Sequence, residues 1–177
     1  EEGITVHAAV RDPGKKEKVA HLDEMAAKSA GSIKYFKADL LTEGAYEAAM
    51  AGCELVYHTA SPFILKYDDP QKDLVDPAVK GTKNVLASAN KVTSVKRVVV
   101  TSSCASIYGD NIDLQKTKNG VFTEEDWNTT SSLTHQSYSY SKVMAEKAAW
   151  EMANAQNRWD LVVVNPSLVI GPGTNAD

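Results

Sequence analysis

Tyr138 and Lys142 stand four residues apart in the run Tyr138-Ser139-Tyr140-Ser141-Lys142. On a helix this spacing places them on one face, about a turn from each other. From Ser141 onward the sequence is rich in strong helix formers and has no Gly or Pro until Pro166. A helix is therefore expected from residue 138 to about residue 154. A phenol with a pKa of about 10 is a poor acid–base group at neutral pH, and a neighbouring ammonium favours the phenolate and lowers that pKa. A tyrosine tuned in this way can give a proton to a carbonyl oxygen or take one from an alcohol. Alone, the Tyr-x-x-x-Lys match is weak evidence, because a surface Tyr and Lys often share this spacing. The elements around the pair carry the rest of the case.

Those elements alternate. Strands are expected at residues 3–10, 32–38, 54–60, 97–103 and 161–165, and helices at 15–29, 44–50, 71–91 and 138–154. Pro77, near the start of the third helix, is tolerable in a first turn or marks a kink. The run Val98-Val99-Val100 reads as a strand buried on both faces. Residues 105–136 are loop-rich. Alternation of this kind implies an α/β fold, a doubly wound parallel sheet with helices on both faces. Such sheets bind ligands beyond the carboxyl ends of their strands. Polar residues fall at those ends: Arg11, Asp39, Thr59 and Ser61, Ser102 and Ser103, and Ser167.

The whole-chain numbers exclude several function classes. The chain has 177 residues, 43% of them hydrophobic, enough for a real core. A net charge of −4 and a pI of about 5.6 argue against nucleic acid or anionic membrane as the main partner. No apolar run approaches the ~20 residues of a membrane span. The two cysteines, Cys53 and Cys104, have no Cys-x-x-Cys spacing, and as free thiols they fit a cytoplasmic location. Four scattered histidines offer no metal-ligand spacing.

With these elements in place, the chain resembles the extended short-chain dehydrogenase/reductase family, and within it the dihydroflavonol reductase-like group. The likeness rests on Val10-Arg11-Asp12-Pro13, Lys37-Ala38-Asp39-Leu40, Val56-Tyr57-His58-Thr59-Ala60-Ser61-Pro62, Gly81-Thr82-Lys83-Asn84-Val85-Leu86 and Thr101-Ser102-Ser103. It continues through Phe122-Thr123-Glu124-Glu125-Asp126-Trp127, the Tyr138 to Lys142 run and Pro166-Ser167-Leu168-Val169-Ile170-Gly171-Pro172. It implies a Rossmann-like NAD(P)-binding domain over residues 1–177. Two departures accompany it. The family's opening strand and glycine-rich pyrophosphate turn have no counterpart here, and neither does its C-terminal substrate domain. The chain is expected to be part of a longer enzyme, incomplete at its N-terminus and with an exposed central strand edge.

The resemblance also assigns roles. Ser103, Tyr138 and Lys142 would be the catalytic set, with Ser102 the alternative serine. Arg11 lies where NAD-binding relatives carry an acidic residue, which implies NADP rather than NAD, and Lys18 would assist it. Asp39 would contact the adenine amino group and Leu40 would supply backbone. Thr59, Ala60 and Ser61 would lie along the pyrophosphate and nicotinamide ribose, where small residues allow close backbone approach. Tyr138, Lys142, Pro166, Ser167, Leu168 and Val169 would complete the cofactor contacts. His58 is expected to be a core histidine, Asn84 a helix-surface residue and Trp127 a packing residue. The function implied is NADPH-dependent reduction of a small-molecule ketone or aldehyde. A nucleotide-sugar epimerase or dehydratase, or a non-catalytic NADP-binding protein on this fold, stands as the alternative. Cinnamoyl-CoA reductases are disfavoured, because Gln136-Ser137-Tyr138-Ser139 replaces their Asn-Trp-Tyr-Cys signature.

Overall fold

The structure is a computed structural model, and it describes residues 3–61, 64 and 66–173. Pro62, the last residue of the motif after the third expected strand, lies outside them. Strand β1 (Thr5–Val10) leads through a turn into α1 (Lys16–Ala27) and β2 (Ser32–Lys37). A short helix α2 (Glu47–Met50) precedes β3 (Leu55–His58). A π-helical segment (Gln71–Val75) runs directly into α3 (Asp76–Lys91), followed by β4 (Arg97–Thr101), α4 (Ser137–Asn154) and β5 (Asp160–Val164). Pro77 occupies the first turn of α3, and the change of helical pitch falls just before it.

All strand pairings within the two sheets are parallel, in the orders β1-β2 and β3-β4-β5. The chain is thus α/β, as the alternation implies. The sheet is interrupted between β1 and β3 by a cavity of about 1100 Å³, lined by residues 4–10 on one side and 54–60 on the other.

The core lies on one face of the three-stranded sheet. Val98 and Val100 of β4 meet Val85, Leu86 and Ala89 of α3 and Ala149 of α4. Here β4 departs from expectation: Val98 and Val100 are buried, but Val99 and Thr101 are only half-buried. On the opposite face Tyr57 stays 67% exposed and Val162 38% exposed, in register with Val99 between them. No helix among the described residues covers that row, so burial follows the alternating pleat and only one face is sealed.

Candidate active site

The site is built where β3, β4 and β5 end and α4 begins. The chain enters α4 through Gln136, whose φ of 53° is left-handed. Its side chain donates to Asp110, which also binds His135 at 3.0 Å, so the preceding loop is tied to the start of the helix. Tyr138 then stands half-buried in the first turn and Lys142 is buried one turn later.

Ser103 follows β4 in extended backbone and caps a short 3₁₀ turn (Cys104–Ser106), its hydroxyl accepting from the Ala105 N–H. The same hydroxyl shares a hydrogen bond with the Tyr138 phenol. Ser102, the alternative, is buried and donates instead to Glu146. Lys142 Nζ donates to Ser61 Oγ at 2.9 Å and lies 5.7 Å from the centre of the Tyr138 ring. Ser61, Ser103, Tyr138 and Lys142, contributed by three separate elements, thus converge beyond the strand ends. The cavity between β1 and β3 is lined by Thr59 and Ala60 at its edge but not by the Tyr138 group.

The electrostatics depart from the sequence expectation. Burial pushes the Tyr138 phenol up from its ordinary pKa, a Cys104 thiolate would push it further, and the Ser103 hydrogen bond opposes both. Lys142 does not bring it down, because its ammonium is directed at Ser61 and the ring face. Burial in turn lowers the Lys142 pKa. The resting phenol therefore holds its proton.

The remaining assigned residues fall into two groups. Arg11 is exposed just beyond β1, and the carboxylate of neighbouring Asp12 is turned back to accept from the Gly14 N–H. Lys18 is exposed on α1. Asp39 closes a tight turn by accepting from the Leu41 N–H. Thr59, Ala60 and Ser61 are exposed past β3, and Ser167, Leu168 and Val169 past β5, while the Pro166 carbonyl accepts from Cys104. The adenine-side residues stand at the ends of β1 and β2, in a different sheet from the strands that end at the Tyr138 group.

Asn84 is no plain surface residue. Its amide donates to the carbonyls of Leu40 and Thr42 and accepts from the Gly44 N–H, clamping the loop after Asp39. Leu40 in turn fills the space over Gly81, where a Cβ would fall 2.5 Å from its Cγ. His58 is a buried core histidine, 3.5 Å from Thr82 Oγ1, its pKa pushed down to about 4 by burial and then by the Lys142 charge. Trp127 lies under Lys147, at 5.3 Å. Cys104 contacts the Tyr108 hydroxyl, not His135, and both cysteines are free. Among the described residues no group of three or more His, Cys, Asp or Glu could hold a metal ion, and no helix is long and apolar enough to cross a membrane.

Glu146 was missed. It is buried, and Ser102, Ser106 and Asn165 all hydrogen-bond one of its oxygens. The signal was present, since Tyr138, Lys142 and Glu146 continue one four-residue spacing along α4.

Known proteins are similar to this chain. Anthocyanidin reductase from Arabidopsis thaliana is 41% identical over 180 residues, covering 99% of this chain and 51% of its own. A cinnamoyl-CoA reductase from Medicago truncatula is 44% identical over 173 residues, covering 96% and 52%. Overall likeness thus reaches a group that the residues around Tyr138 disfavour. The crystal structure of yeast methylglyoxal/isovaleraldehyde reductase Gre2 complexed with NADPH superposes with a TM-score of 0.74 at 32% identity, over 93% of this chain and 51% of that one. The chain spans about half the length of the curated relatives it matches. Residues 1–177 match the NAD dependent epimerase/dehydratase family from end to end, and the chain belongs to that family.

Proposed function

We propose that this chain is the cofactor-binding part of an NADPH-dependent reductase of a ketone or aldehyde. The carrying observation is the hydrogen bond between Ser103 and Tyr138, with Lys142 one turn along the helix. The relatives named above are reductases, which supports the reaction class, and the NADPH in the yeast complex supports the cofactor.

The residues present fit NADPH. Arg11 stands exposed where a 2′-phosphate would need a cation, and Asp12 is engaged in its own turn. Asp39 and Leu40 would meet the adenine, and Thr59, Ala60 and Ser61 the ribose side. Pro166, Ser167, Leu168 and Val169 would border the nicotinamide end. Bound NADPH supplies a hydride. Tyr138 supplies the proton: burial keeps its phenol neutral, the form a reduction consumes. Ser103 donates to the substrate oxygen and holds it against the phenol. Lys142, with one N–H given to Ser61, keeps donors for the ribose hydroxyls and a positive charge for the phenolate left after transfer.

Tyr138→Phe tests the reading. In the whole protein it should keep NADPH affinity and lower kcat by ~10²-fold or more. Full activity in the Phe variant would end the proposal.

A further inference from the structure

We infer that Glu146 is a positioning residue for this reduction, holding the turn that carries Ser103 in place against Tyr138. The inference rests on Ser103 and Tyr138 acting as proposed above. Glu146 sits two turns beyond Tyr138 on α4 and is 8% exposed. Its Oε2 receives the Ser102 hydroxyl at 2.5 Å, the Ser106 hydroxyl at 2.5 Å and the Asn165 amide at 2.9 Å. Trp150 Nε1 reaches the other oxygen at 3.4 Å. Ser102 and Ser106 flank Ser103 on both sides, so one carboxylate grips both ends of the turn.

Proton counting makes the grip directional. Ser106 Oγ lies within reach of both Glu146 and the Ser103 carbonyl, at 2.7 Å, but has one proton to give. When Ser106 gives its proton to Glu146, both serine protons point at Oε2. The Ser103 carbonyl is then served by the Asn165 amide at 3.2 Å and by the Ser106 N–H at 2.9 Å. Removing the acceptor takes away the partner that Ser102, Ser106 and Asn165 share and leaves the Ser106 hydroxyl to the Ser103 carbonyl alone. That rearrangement resets the turn without unfolding the strand, because Ser102 N–H and Cys104 N–H remain bonded to the Val164 and Pro166 carbonyls. A buried carboxylate is a costly way to fill core space, and a leucine would do so more cheaply. What a leucine cannot do is fix the hydroxyl directions on either side of Ser103. Small misplacements in a reacting set are expensive, ~10²-fold for about 1 Å.

The test is a cycle in the whole protein with NADPH and a panel of aldehydes and ketones, read on the member turned over fastest. Glu146→Leu should lower kcat by ~10-fold or more with NADPH affinity unchanged within about twofold. Glu146→Gln, which keeps a carbonyl acceptor, should restore most of the loss. In a Ser103→Ala background the same Glu146→Leu change should cost less than about threefold, since nothing remains to position. Independent, multiplying losses in the double variant, or an unchanged kcat in Glu146→Leu, overturn the inference. If Glu146→Leu fails to fold, Ser106→Ala replaces it in the cycle under the same criteria. Retained activity in Tyr138→Phe, or no turnover of any panel member, would instead remove the proposed reaction, so the two failures are distinguishable.

Discussion

Tyr138 and Arg11 show how differently two residues of one site depend on their surroundings. Tyr138 is half-buried, and its chemistry follows from desolvation and the Ser103 hydrogen bond. Arg11 is exposed, and the role proposed for it rests on its charge. Arg11→Asp should therefore weaken NADPH far more than NADH, by ~10-fold or more, because it removes the phosphate's cation and adds a like charge. Titrating the whole protein with both cofactors checks this, and equal losses would disprove the NADP assignment.

Helix α3 works as a brace. Asn84 clamps the loop after β2 through three backbone groups, and Gly81, one turn earlier, leaves room for Leu40 to pack onto the helix. The glycine is required by close approach and not by a special dihedral. Gly81→Ala should destabilise the protein by about 1–3 kcal/mol through overpacking against Leu40. Urea unfolding gives the number. Adding Leu40→Ala should return part of the loss, and a double variant worse than the sum of the singles would rule this account out.

At the scale of the whole molecule, pH acts through His58. Its pKa falls from 6.5 to about 4 on folding, because burial disfavours the imidazolium and Lys142 repels it. The group is neutral in the folded state and takes up a proton first when unfolded. Its contribution, on the order of 3 kcal/mol, is therefore complete above about pH 6.5 and lost as pH falls toward 4. His58→Gln should flatten the dependence of unfolding free energy on pH within that window. An unchanged slope between pH 7 and pH 4.5 would show that carboxylates alone set the acid limit. The same scale holds the two open features of the fold, the cavity between β1 and β3 and the exposed row at Tyr57 and Val162.

The sequence by itself determined the alternation of strand and helix, the parallel pairing and the shared helix face of Tyr138 and Lys142. These follow from local periodicity and from residue types whose chemistry is the same in any context. It also ranked Ser103 above Ser102, a choice that the Tyr138 hydrogen bond supports and the burial of Ser102 explains. What it could not determine depends on contacts between residues distant along the chain. The Lys142 ammonium was expected to lower the Tyr138 pKa. The sign reversed because desolvation, a property of the packed site, outweighs a charge directed at Ser61, 81 residues away in sequence. Asn84 was read as a surface residue because its partners lie in a loop about 40 residues earlier. Glu146 gathers donors from the turn after β4 and from the residue after β5, and only the tertiary structure brings those to one oxygen.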